Sequence, residues 1–163
     1  MLYINNQTKL LVILFASIMG FNSAKADNRA YAPKPNSSER QDICNASRSY
    51  VIRKYVLSSR LPKPIVFKIE KIQVLRNYCF FKATPIFQDG SSVGTEYIMD
   101  IVFEFCLKRE NEKWQLLYDL SSTDVPSDSQ IKEMWKTFPK EFPLELVPEF
   151  WREKFNKSRT TDQ

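Results

Sequence analysis

Four carboxylates and one phenol in the second half of the chain have the side chains that general acid–base chemistry needs. They are Asp100, Glu104, Asp119, Asp124 and Tyr97. A carboxylate acts as a general acid or base only when a second polar group reaches the same substrate and its pKa is shifted toward the working pH. The sequence does not fix those distances. These residues therefore define one candidate function, a carboxylate-dependent enzyme with its acids in a pocket.

The composition excludes most other kinds of catalysis. The chain has no histidine, which removes Ser-His-Asp and Cys-His catalysis together with histidine-ligated metal sites. After the first 26 residues the only glycines are Gly90 and Gly94, both in one loop, so neither a P-loop nor a dinucleotide-binding fingerprint can form. Three cysteines at distant positions do not make a zinc cluster. We therefore expect no metal and no cofactor, and a protein that binds rather than catalyses.

The first 26 residues have the pattern of a secretory signal peptide. Lys9 precedes an apolar run over 10–21, and Ala24, Lys25 and Ala26 form a small-x-small cleavage pattern. The apolar run is shorter than the roughly 20 residues that cross a bilayer comfortably. We expect cleavage after Ala26, export to the periplasm, with full secretion as the alternative, and no transmembrane segment in the mature chain. An uncleaved membrane anchor is the competing interpretation.

The charge of the mature chain is mildly positive. Removing Lys9 and Lys25 from the 24 basic residues leaves 22 against 19 acidic ones, a net charge of +3. The charges are mixed along the chain, which argues against nucleic-acid binding. A mild positive charge suits peripheral contact with an anionic envelope surface. The length after cleavage indicates a single domain large enough to bury a core.

Proline and capping signals divide the mature chain into a linker, one domain and a tail. We expect a linker over 27–37, a domain over 38–156 and a disordered tail over 157–163. A helix is predicted over 38–58, because Ser38 and Gln41 have capping-box spacing and apolar residues follow at helical intervals. Pro62 and Pro64 end it.

Four strands are predicted after this helix, over 65–75, 78–87, 97–109 and 113–120. The alternation in the first strand changes phase near Lys71, which indicates a bulge. In the third strand Ile101, Phe103, Phe105 and Leu107 share a face. In the fourth strand the shared face carries Trp114, Leu116, Tyr118 and Leu120. One helix followed by an antiparallel meander predicts an α+β fold.

Several stretches resemble a widespread group of uncharacterised exported bacterial proteins. They are the helix with Arg40, Ile43 and Ala46, then PIVFKIEKIQVLRNYCFF, QDGSS, DIVFEFCLKRENEKWQLL and STDVP, over roughly 40–138. The chain departs from the group at Tyr78-Cys79, where Trp-Ala is usual. The resemblance implies export and a cystatin-like or NTF2-like shape, in which a curved four-stranded sheet wraps on a helix. It implies no activity.

The polar stretch over 121–130 has a structural explanation. Ser127 and Gln130 have capping-box spacing before apolar residues at helical intervals, and Asp128 suits the positive end of the helix dipole. Thr123 and Asp124 are typical of a turn ahead of Pro126. We favour this interpretation over a catalytic role for Asp124.

Cys44, Cys79 and Cys106 are the candidates for a disulfide in an oxidising compartment. Strand parity favours Cys44 with Cys79 and leaves Cys106 free or available to a partner. A reversal of parity at the bulge would instead favour Cys79 with Cys106. Three buried, unpaired thiols are the third alternative.

Aromatic and basic residues alternate in the C-terminal part of the chain. Two short helices that pack on the sheet are the simpler interpretation, because an aromatic stripe at helical spacing is usually core. The functional alternative is an interaction surface, whose candidate residues are Trp135, Phe138, Phe142, Phe150, Trp151 and Arg152.

The leading hypothesis is a small exported binding module without catalysis. It would act on a protein or envelope component through a concave sheet face or through its C-terminal helices. The carboxylate-dependent enzyme in an NTF2-like cone is one alternative. The other is a structural subunit of an envelope assembly, cross-linked through Cys106.

Overall fold

The computed structural model describes residues 29–55, 63–95, 97–98, 102–121 and 124–161. Within these ranges the elements are α1 (Ser38–Lys54), β1 (Ile65–Leu75), β2 (Tyr78–Phe87), β3 (Phe103–Glu110), β4 (Lys113–Asp119), α2 (Asp128–Thr137), a short 3₁₀ helix (Leu144–Leu146) and α3 (Glu149–Thr161). The predicted signal peptide lies outside the described residues. No helix among the described residues is both long and apolar enough to cross a membrane.

The strands form one antiparallel sheet in the order β1-β2-β3-β4. Each strand pairs with the next along the chain, so the predicted meander and the α+β class are confirmed. The register of β1 against β2 shifts between Ile69 and Lys71, which confirms the bulge predicted near Lys71. The third strand begins at Phe103 rather than at residue 97. Ile101 lies outside the described residues.

The sheet is covered by helices on both faces. Cys79, Phe81 and Ala83 of β2 lie in the core cluster under α1. Phe80, between them in sequence, lies in a second cluster with residues of α2 and α3. Successive strand residues point to opposite faces, so the molecule has three layers: α1, the sheet, and the C-terminal helices. Each fully buried phenylalanine contributes about 1.5–3 kcal/mol of apolar burial.

The helix caps follow local sequence closely. Ser127 accepts a hydrogen bond from the amide of Gln130, and the Gln130 side chain accepts from the Ser127 amide, which confirms the predicted capping box. At α1 the cap is Ser37, whose hydroxyl accepts from the Arg40 amide. The prediction of Ser38 as the cap was therefore wrong by one residue. The described helix ends at Lys54, and the rest of its predicted span, from residue 56, lies outside the described residues.

Both ends of the domain are more ordered than the sequence indicated. Tyr31, inside the expected linker, exchanges two backbone hydrogen bonds with Val74 of β1 at 2.9 and 2.7 Å. α3 continues to Thr161, into the tail that was expected to be disordered. Within this extension Ser158 is buried, and its hydroxyl donates to the Lys154 carbonyl of the same helix at 3.1 Å.

The fourth strand contains a bulge that the sequence did not indicate. The β3–β4 register shifts between Cys106 and Leu107, and Leu117 is the extra residue on β4. Trp114 and Leu116 therefore face α1, while Tyr118 and Leu120 face the C-terminal helices. The prediction that these four side chains share one face was wrong, because a bulge reverses the alternation beyond it.

Candidate functional site

The most densely hydrogen-bonded carboxylate is Asp119, at the end of β4. Its Oδ2 accepts from the hydroxyl of Tyr50 at 2.9 Å, the hydroxyl of Tyr55 at 2.6 Å and the ammonium of Lys54 at 2.8 Å. Its Oδ1 accepts from the amide of Ser121 at 2.9 Å. We call these five residues the Asp119 cluster. It joins the C-terminal end of α1 to the end of the sheet.

The electrostatics of the Asp119 cluster hold the carboxylate in its charged form. Burial favours the neutral acid, but the donors from Lys54, Ser121 and Tyr55 outweigh it and lower the pKa of Asp119. Burial and then the hydrogen bond to Asp119 raise the pKa of Tyr55 to about 12. Burial of Lys54 opposes its charge, yet its bonds to Asp119 and Tyr50 raise the pKa of Lys54 above the ordinary value. A carboxylate with a lowered pKa and four donors is a weak base, and the arrangement suits a structural link.

Glu104 lies on the opposite face of the sheet. Its neighbours Phe103 and Phe105 point toward α1, so its own side chain points toward α3. Oε2 accepts from the indole N–H of Trp151 at 2.6 Å. Oε1 lies 3.0 Å from the ammonium of Lys82. The hydrogen bond with Glu104 is the main cause that raises the pKa of Lys82.

Glu104, Lys82 and Trp151 line a pocket of about 380 Å³ whose other walls include Val102, Val125 and Phe150. We call it the Phe150 pocket. Asp124 also lines it. Val125 is 79% exposed, Phe150 39% and Val102 38%. These are three of the five large hydrophobic side chains that are exposed among the described residues. The pocket thus combines polar groups of Glu104 and Lys82 with a rim of three solvent-exposed apolar side chains.

The three candidate carboxylates that the structure describes are not brought to one place. Asp119 and Glu104 lie on opposite faces of the sheet. Glu104 and Asp124 line the same pocket, and Asp100 lies outside the described residues. Tyr97 is half-buried and its ring packs against Phe87 under α1. Among the described residues no group of three or more histidines, cysteines or acids is arranged to hold a metal ion.

Most of the candidate surface aromatics are core residues. Phe138, Phe142 and Trp151 are buried in the second core cluster, and Trp135 is half-buried against it. The packing of α2 and α3 on the sheet covers most of the surface of these four side chains. Phe150 remains exposed, and Arg152 is half-buried.

The three cysteines are free thiols on two sides of the sheet. Cys79 is fully buried under α1, and Cys44 packs against the same cluster. Cys106 is fully buried in the opposite cluster. Burial raises the pKa of Cys79 and of Cys106 well above the ordinary value, which lowers the fraction of reactive thiolate at both positions. Strand parity placed Cys106 on the face away from α1, and it does lie there as a free thiol. Because α2 and α3 cover that face, Cys106 is fully buried and is not presented to a partner.

Oxidation is expected to join Cys44 to Cys79 and to leave Cys106 as a thiol. Cys44 packs against the core cluster that contains Cys79, whereas Cys106 is buried in the cluster on the other face of the sheet. Incubation with glutathione disulfide, followed by alkylation under denaturing conditions and peptide mapping, measures the pairing. The Cys106→Ala variant should form the same bond. A disulfide that contains Cys106 would contradict the prediction.

The sequence missed the partners that complete each site. Tyr50 and Lys54 stand four positions apart on α1, a spacing that indicates a shared face, and Tyr55 follows as the C-cap residue. Nothing in that spacing names Asp119, which follows more than sixty residues later. Lys82 and Trp151 likewise reach Glu104 only through the fold.

Comparisons with protein-family models, with curated proteins and with solved structures find no match to this chain. The fold itself defines the class of protein: an α+β domain of three layers that carries the Phe150 pocket. The resemblance to cystatin-like or NTF2-like exported proteins stays a prediction.

Proposed function

We propose that this chain is a small exported binding module that acts on a protein or envelope component through the Phe150 pocket. One observation carries the proposal: Val102, Val125 and Phe150 converge on a single pocket. Exposed apolar side chains that cluster in a concave site are typical of binding surfaces, since scattered ones need no explanation. Export rests on the signal-peptide pattern alone.

The floor of the pocket supports binding more than catalysis. Each oxygen of Glu104 has a donor, from Trp151 or from Lys82. A general acid or base must exchange a proton with substrate, and whichever Glu104 oxygen did so would have to share its lone pairs with the donor already bound there. Aromatic anchors in a well-packed pocket are instead the usual centres of binding energy.

The carboxylate-dependent enzyme is retained as the second candidate, because Glu104 and Asp124 line the same pocket. An envelope subunit cross-linked through Cys106 receives less support, because that thiol is fully buried.

The binding proposal predicts position-dependent crosslinking at the pocket rim. A photo-crosslinking residue at Val125 should capture a partner from the native envelope. The same residue at Ile52, another exposed apolar position, lies on α1 and should not. Adding Phe150→Ser should lower the yield at position 125 about tenfold, as expected when a central aromatic anchor is lost.

Two results would count against the proposal. Equal capture from positions 125 and 52 would mean nonspecific contact. Capture at position 125 that persists unchanged in the Phe150→Ser variant would mean that the pocket is not the site. A Glu104→Gln variant separates the enzyme from the binder, because it should abolish turnover in the first case and leave crosslinking intact in the second.

A further inference from the structure

The outer edge of β4 offers backbone groups that no described residue pairs. The β3–β4 hairpin turns at Asn111 and Glu112, both with positive φ. The amide of Arg109 donates to the carbonyl of Asn77, on the β2 side, at 2.7 Å. Trp114 is the cross-strand partner of Arg109. Because the backbone of Arg109 is directed toward β2, this is a non-hydrogen-bonded pair, and the N–H and C=O of Trp114 point away from β3. The same holds for Leu116, two residues further along.

The other edge of the sheet is protected against pairing. The bulge after Ile69 interrupts the pairing of β1 with β2. The backbone N–H and C=O of Val74 are already hydrogen-bonded to Tyr31. Exposed Lys68 adds a charge at that edge. These are the devices by which proteins blunt an edge strand. The bulge of β4 comes only at Leu117, so the stretch of β4 before it has neither a bulge nor a covering strand among the described residues.

A groove of about 560 Å³ lies beside this open edge, between α1 and β4. Small side chains of α1, Ala46 and Ser49, form one wall, and Trp114, Gln115 and Leu116 of β4 form the other. A groove between a helix and an open strand edge fits an extended peptide, which adds a strand by main-chain hydrogen bonds. It lies on the α1 face, apart from the Phe150 pocket on the opposite face.

The charge around the groove selects the occupant. Exposed Arg53 lines the groove and exposed Lys113 begins β4. Neither makes an ion pair with another described residue, and no acid lines the groove. A second copy of this chain would bring the exposed Lys113 and Gln115 of its own β4, which offer no acid to Arg53. An acidic segment complements the groove.

We propose that this groove binds an extended acidic segment of a partner protein, which pairs with Trp114 and Leu116 as a fifth strand while its acidic side chains meet Arg53. The proposal does not depend on the Phe150 pocket. Its failure would leave the crosslinking result at position 125 untouched.

The test uses a fluorescein-labelled peptide that alternates glutamate with valine. Two control peptides accompany it: one replaces glutamate by lysine, and one carries proline at the positions whose N–H faces β4. We expect saturable binding by anisotropy for the first peptide, at least about tenfold weaker binding for both controls, and slowed hydrogen exchange at the amides of Trp114 and Leu116.

Variants at the two edges supply the matched comparison. Arg53→Glu should weaken the glutamate peptide at least about tenfold and favour the lysine peptide, since like charges across an interface oppose binding. Lys68→Glu makes the same kind of charge change on β1 and should leave binding unchanged.

Four results would overturn the proposal: no binding, equal binding of the proline peptide, exchange slowed on β1 instead of β4, or protection of Trp114 that rises with protein concentration when no peptide is present. The last result would assign the edge to a second copy of the chain.

Discussion

Replacing Asp119 with alanine is expected to lower the free energy of unfolding by about 3 kcal/mol. The Asp119 side chain is only 9% exposed, and its loss leaves the hydroxyls of Tyr50 and Tyr55 without their acceptor. Half of the Lys54 side chain is exposed, so its ammonium is rehydrated and adds little to the cost. Urea unfolding followed by tryptophan fluorescence measures the change, with an unaltered slope expected if the native fold is kept.

Asp128 provides the matched control. It is also ion-paired, with Lys154 at 2.8 Å and Lys157 at 3.7 Å, but its side chain is 69% exposed. Exposed pairs contribute little, so Asp128→Ala should cost much less than Asp119→Ala. Asp119→Asn keeps the size of the side chain and removes its charge, and it should fall between the two alanine variants. Equal losses for Asp119→Ala and Asp128→Ala would show that the cluster is no more than a surface ion pair.

The Asp119 cluster should also set the pH range of highest stability. The folded pKa of Asp119 is lowered, so its contribution is present above the unfolded value, about 4, and is lost as pH falls through the folded pKa. The folded pKa values of Lys54 and Tyr55 are raised. Their contribution is present below unfolded values of about 10 and is lost as pH rises beyond them. The stability difference between wild type and Asp119→Asn should therefore be largest between about pH 5 and 9.

The order of the strands, the bulge of β1 and the cap of α2 could be predicted because their determinants are local. Alternation over 65–75 with a change of phase near Lys71 gave the bulge of β1, and Ser127 with Gln130 gave the cap of α2. Both depend on residues a few positions apart, whose geometry the backbone fixes.

The candidate site could not be predicted, because one extra residue decides it. Without the bulge at Leu117, Asp119 would follow the parity of Gln115, on the face away from Trp114. The bulge turns Asp119 toward α1, where Tyr50 and Tyr55 meet it. The sequence around position 117 contains no glycine or other turn residue that would indicate a bulge. The register there depends on how the core clusters on the two faces of the sheet pack. Sequence reasoning therefore grouped Asp119 with Glu104, although the sheet separates them.

The C-terminal aromatics show the same limit in another form. Helical spacing predicted that they face one way, but it could not distinguish a face that packs on the sheet from a face that meets a partner. The sheet carries a second apolar face, including Phe80 and Cys106, that must be covered. α2 and α3 cover it.

Phe138→Ala is accordingly expected to cost about 3–5 kcal/mol in the free energy of unfolding. Phe138 is 2% exposed and its ring packs against those of Tyr118, Phe142 and Phe155. The backbone of α2 restricts how far the neighbours can collapse, so the cavity term adds to the lost burial. Thermal and urea unfolding of the variant measure the effect.

Phe150→Ala is the control that separates core from surface. Phe150 follows the start of α3 and is 39% exposed, so the same truncation should cost less than about 1 kcal/mol. The two variants should also differ in crosslinking from position 125. Phe150→Ala should lose the partner while it keeps nearly full stability, whereas Phe138→Ala should lose stability while its folded fraction still captures the partner. Comparable destabilisation by both variants would mean that Phe150 belongs to the core and that the pocket rim is structural. A stable Phe138→Ala protein that loses the partner would instead return the buried aromatic face to the role of an interaction surface.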